Sequence, residues 1–89
     1  MNKIYEYRKQ KNITQSDFAY RLNQLGISCA ESDISRWERG LQIPSSNARE
    51  IISEIIGISE YELLCDIITN LDYKNYRNKG KTQNYEDTG

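Results

Sequence analysis

Ile34-Ser35-Arg36-Trp37-Glu38-Arg39-Gly40 is the stretch on which the fold turns. Read outward from it, Ile27, Ala30, Ile34, Trp37 and Leu41 recur at intervals of three and four, the spacing that lines up one face of an α-helix. Ser28 and Glu31 have the form of a capping box, in which a hydroxyl accepts an orphan amide and the carboxylate takes the cap residue's own N–H. Together these signals predict a helix over residues 28–39, closed by Gly40. Trp37 is read as its core anchor, since an aromatic on an apolar stripe is buried far more often than it binds a ligand. The opposite face then carries Glu31, Ser32, Ser35, Arg36 and Arg39.

Four more helices surround this one. The first is expected over 3–11, with Ile4, Tyr7 and Tyr5 turned inward and Asn12-Ile13 ending it. Thr14 and Asp17 form a second capping box, and behind it Phe18, Ala19, Leu22 and Leu25 share a face, predicting a helix over 15–25 that stops at Gly26. Ile43-Pro44 reads as a loop running into the candidate N-caps Ser45-Ser46-Asn47. Ala48, Ile51, Ile52, Ile55 and Ile56 then make a fourth helix up to Gly57. Ser59 and Glu62 open a fifth, with Tyr61, Leu64, Ile67, Ile68 and Leu71 as its apolar side and a fade near Asn70. From Asp72 onward isolated tyrosines stand among polar residues, too little apolar surface to offset the entropy of ordering. The expected organisation is one all-α domain over 1–71 and a disordered polar tail over 72–89, without internal repeats.

Composition narrows the function. A chain of 89 residues, 37% of them hydrophobic, suits a single core. Its two cysteines, Cys29 and Cys65, match no metal-ligand spacing and there is no histidine. They are read as free thiols of a cytoplasmic protein, and no metal or cofactor is expected. No run of about eighteen apolar residues suggests a membrane span. The absence of a P-loop, a GxGxxG run or a nucleophile elbow argues against an enzyme, and Cys29, without a base nearby in sequence, is read as a small buried hydrophobe. The net charge of −1 argues mildly against nucleic acid, because neutralising phosphate is the main sequence-independent source of affinity. Over residues 1–66 eight basic residues face ten acids, but five of those acids lie at or beyond Glu50.

Three pieces in order carry a resemblance: the run Tyr7-Arg8-Lys9-Gln10-Lys11-Asn12-Ile13-Thr14-Gln15, the run from Ile34 to Gly40, and Pro44 followed by Gly57-Ile58-Ser59. They resemble the Cro and phage-repressor (XRE-like, lambda-repressor-like) helix-turn-helix family over about residues 4–64. The resemblance implies a five-helix DNA-binding domain. Between Leu22 and Ile34 this chain has several more residues than the shortest members, contributed by Asn23-Gln24-Leu25 and the stretch around Cys29-Ala30. That implies a lengthened second helix and turn, a little like the variant in POU-specific domains.

The resemblance further implies a sequence-specific transcriptional regulator, repressor-like, that reads the major groove of double-stranded DNA with the helix ending at Arg39. In such folds the second helix lies across the backbone and residues near the start of the third face the bases. Gln15 would then contact a phosphate, Arg36 a guanine edge, Ser32 or Ser35 a less specific base position, and Arg39 and Lys11 phosphates. Glu31 stands open between capping and base contact, and Asp33 is read as helix-start charge. Members with Arg and Glu at the places of Arg8 and Glu38 pair them between the first and third helices, so both are read as structural. A homodimer is expected, pairing through the fifth helix where Ile67, Ile68 and Leu71 extend the apolar set. The basic run from Tyr73 to Lys81 suits a phosphate-contacting arm or a solvated tail. The acidic balance motivates a rival: a protein-interaction module, such as an antirepressor or accessory factor, using the same fold without binding DNA itself.

Overall fold

The computed structural model describes residues 2–69, which form five helices and the turns between them, with no strand among the described residues. They are α1 (Lys3–Gln10), α2 (Gln15–Gln24), α3 (Glu31–Glu38), α4 (Ser46–Ile56) and α5 (Glu60–Thr69). The expected fold class, an all-α five-helix domain of the lambda-repressor-like kind, is the one formed. Leu71, the boundary at 71/72 and the tail over 72–89 lie outside the described residues.

Local chemistry sets the helix ends. Asn2, given no part by the sequence reading, caps α1: its Oδ1 accepts from the amides of Ile4 at 3.1 Å and Tyr5 at 3.3 Å. Beyond α1, Asn12 adopts a left-handed φ of 60°, a conformation asparagine tolerates better than most residues. The Thr14–Asp17 box forms as expected, with the Asp17 amide donating to Thr14 Oγ1 at 3.0 Å and the Thr14 amide to Asp17 Oδ2 at 3.4 Å. α2 stops at Gln24, and Gly26 follows with φ 94°. A Cβ there would meet nothing within 4 Å, so the backbone conformation, not space, calls for glycine. Leu25, expected on the inner face, caps the helix instead and is 51% exposed.

The start of α3 departs from the expectation. The box is formed by Ala30 and Asp33, not by Ser28 and Glu31, and the helix begins at Glu31. Alanine has no side-chain acceptor, so only the return half is made: the Ala30 amide donates to Asp33 Oδ2 at 2.8 Å. As a cap, Ala30 leaves the buried stripe it was assigned to and is exposed. The connection over 25–30 is therefore longer than the roughly three- to four-residue turn common in helix-turn-helix units, and the extra length falls in the turn. Asn23 staples it, its Nδ2 donating to the carbonyls of Ala19 at 2.7 Å and Cys29 at 2.8 Å.

All five helices contribute to one core, in which Ile4, Phe18, Leu22, Ile34, Trp37, Ile52, Leu63 and Ile67 are buried. Ser45 and Ser59 cap α4 and α5, accepting from the amides of Ala48 at 3.2 Å and Glu62 at 2.9 Å. The inward face of α5 is not the one expected. Leu63 and Ile67 point into the core, whereas Tyr61 is 78% and Ile68 49% exposed and Leu64 is half-buried. The helix carries two apolar stripes, and periodicity alone did not say which one meets α1 and α4. A backbone-to-side-chain bond closes that end of the domain, the Lys3 amide donating to Asp66 Oδ2 at 2.8 Å.

Candidate nucleic-acid interface

Three helices meet at one buried polar cluster that orients the candidate surface. Glu38, at the end of α3, accepts from Arg8 Nε at 2.6 Å and Arg8 Nη2 at 3.0 Å. Gln15 Nε2, in the first turn of α2, donates to the same carboxylate at 3.1 Å, and Arg8 Nη1 donates to the Ile13 carbonyl at 3.0 Å. The Arg8 guanidinium is pushed further up by its hydrogen bonds to Glu38, against the opposing effect of burial. Arg8 and Glu38 are thus structural, as expected. Asn2 adds a fourth tie, its Nδ2 donating to the Trp37 carbonyl at 2.8 Å. Trp37 is core, as read from the sequence.

With Ile34, Trp37 and Glu38 held inward, the rest of α3 is fixed to the outside. Glu31 and Ser32 are exposed, Ser35 and Arg36 are half-buried, and Arg39, which caps the helix, is exposed. The structure brings these five onto one surface. Glu31 does not cap the helix, which removes one of its two readings. Gln15 is half-buried and spends one amide hydrogen on Glu38, leaving a second donor beside the Gln15 and Ser16 backbone amides at the start of α2, while the Asp17 amide is taken by Thr14. Lys11 is exposed just before α2, with its ammonium 5.9 Å from the centroid of the Tyr7 ring.

Arg36 is not a free cation. Its Nη2 donates to Asp33 Oδ1 at 2.7 Å and its Nε to Gln42 Oε1 at 2.8 Å. Asp33, read as helix-start charge, serves both as the α3 capping carboxylate and as this partner. The Ala30 amide, and after it Arg36, holds its carboxyl below the usual range against the opposing effect of burial. Gln42 was not singled out from the sequence, since nothing in a loop glutamine's surroundings there signals that it reaches back to α3. Cys29 is half-buried, and burial, then the nearby Asp33 charge, pushes its thiol up, away from the reactive thiolate. Cys65 is exposed on α5.

Two helices joined by a turn, the second buried along one stripe and polar along the other, define a helix-turn-helix protein. The chain belongs to that family: the helix-turn-helix model, of the lambda-repressor-like kind, matches residues 4–63. The family is one of DNA-binding regulators. Neither the curated proteins nor the solved structures compared with the chain include a significant match. Among the described residues, no helix is long and apolar enough to cross a membrane.

Proposed function

We propose that this protein is a sequence-specific transcriptional regulator of the cytoplasm that lays α3 in the major groove of double-stranded DNA and acts as a homodimer. The observation that carries the reading is the division of α3: Ile34, Trp37 and Glu38 are buried, while Glu31, Ser32, Ser35, Arg36 and Arg39 share the outward face. Arg36 takes a guanine edge and Ser32 or Ser35 a neighbouring base position. Glu31, freed from capping, accepts from a cytosine amino group, the base contact open to a carboxylate in the groove. Gln15, with the α2 amides behind it, and Lys11 and Arg39 take phosphates and so fix the register.

One such helix reads only a few base pairs, and two-fold pairing doubles the site. The pairing surface expected from the sequence changes, because Ile67 is fully buried within its own chain. Tyr61, Leu64, Cys65 and Ile68 form the outward stripe of α5 and supply the replacement. The reading is tested by mobility shift against a random DNA pool at about 50 mM salt, where the electrostatic contribution is large. Retarded, sequence-enriched fragments are expected; no retention of any fragment overturns it.

The net charge of −1 and the Asp33 carboxylate seated on Arg36 favour a second reading. In it the same face meets a protein, as in an antirepressor or accessory factor. The same pool decides between them, since this reading expects no enriched fragment.

A further inference from the structure

Arg36 is anchored before any DNA is present. Its Nε hydrogen goes to Gln42 Oε1 at 2.8 Å and one Nη2 hydrogen to Asp33 Oδ1 at 2.7 Å, while the other Asp33 oxygen is itself fixed by the Ala30 amide at 2.8 Å. Nε and Nη2 share one edge of the planar guanidinium, so Gln42 and Asp33 together occupy that edge. A guanidinium has five N–H donors in a rigid fork. With two spent, both Nη1 hydrogens and one on Nη2 remain, and the Nη1/Nη2 edge is left as a two-donor fork. That is the pattern the O6 and N7 acceptors of guanine require.

The pair is too exposed to matter much for stability: the side chains of Arg36 and Asp33 retain 36% and 26% of their accessible surface. Its consequence is orientation. A long side chain held in one rotamer loses less freedom on contact than one that must be ordered at that moment. Resting on the DNA-reading function proposed above, we propose that Asp33 and Gln42 are positioning residues that fix the Arg36 guanidinium and thereby set a guanine preference at one position of the site.

Gln42→Ala is the informative variant, because Gln42 lies outside every helix and caps none. Binding of the full chain is measured to its selected site and to the three other bases at each position. Gln42→Ala is expected to reduce the guanine preference at one position by about 5-fold or more, within the range of roughly 5- to 150-fold that a bidentate contact supplies. Its salt dependence should be unchanged, since no phosphate contact is lost. Gln42→Glu, which keeps the acceptor, restores the base preference even where its charge lowers overall affinity. In the DNA-free protein, the Arg36 Nε–H resonance exchanges slowly with water in the unaltered chain and in Gln42→Glu, and rapidly in Gln42→Ala. An Arg36→Ala variant that loses the preference while Gln42→Ala keeps it in full overturns the positioning role alone. Absence of sequence-dependent binding by the unaltered protein overturns the functional reading and this inference together.

Discussion

Glu38 clasps Arg8 through two bonds of 2.6 and 3.0 Å, joining the last turn of α3 to α1 through the interior. Gln15 shares the same carboxylate, so one acid sets how α1, α2 and α3 sit together. The polar face of α3 is presented outward because this clasp, with Ile34 and Trp37, defines the inward one.

Removing one partner leaves the other charged and buried. Glu38→Ala or Arg8→Ala is expected to cost about 3–5 kcal/mol in urea unfolding, while Arg8→Met combined with Glu38→Leu costs distinctly less, because neither orphan charge remains. Equal losses for the single and double variants would contradict the assignment.

Asn2 acts twice, capping α1 through Oδ1 and holding the Trp37 carbonyl through Nδ2. Asn2→Ala should cost about 2 kcal/mol, the sum of a lost cap and a lost buried bond. Asn2→Ser keeps a cap but is too short to reach Trp37, so thermal unfolding should place it between the two.

The two apolar stripes of α5 separate by substitution. Ile67→Ala, in the core, is expected to lose about 2–5 kcal/mol. Ile68→Asp, on the outward stripe, should leave monomer stability within about 0.5 kcal/mol and shift sedimentation velocity from dimer to monomer. A dimer that survives Ile68→Asp would move the pairing surface away from α5.

Asp33 gives a pH dependence with a definite sign. Its carboxyl is held below the usual range, first by the Ala30 amide and then by Arg36. A depressed folded-state value contributes stability that is present above the unfolded pKa, near about 4, and is lost as pH falls through the folded value. Asp33→Asn, which retains an acceptor for the Ala30 amide, should flatten that part of the acid limb in melting curves recorded below about pH 4. The change is small, because the side chain is partly exposed.

Much of this was legible in the sequence because caps and stripes are local. Thr14–Asp17, Gly26, Ser45, Ser59 and Gly57 mark helix ends by chemistry that needs only near neighbours. The Arg8–Glu38 pair, thirty residues apart, became legible through the family resemblance. What failed lay where two local signals competed. Ser28–Glu31 and Ala30–Asp33 are overlapping boxes, and the second won with half the usual bonds while Asn23 held the longer turn in place. On α5, both stripes are helical in period, and only the packing of α1 and α4 against Leu63 and Ile67 decides between them. Gln42 was invisible for a third reason: its role depends on a loop folding back onto α3, which no pattern in the loop announces.

On the function proposed above, the outward face of α3 reads DNA, with Arg36 as its most specific contact. Selection from a random double-stranded pool at about 50 mM salt, carried out in parallel for the unaltered protein and Arg36→Ala, tests it most directly. A two-fold symmetric consensus is expected for the unaltered chain, with one guanine in each half that becomes indifferent in Arg36→Ala. A pool that shows no enrichment, or a consensus identical for the two proteins, would contradict it.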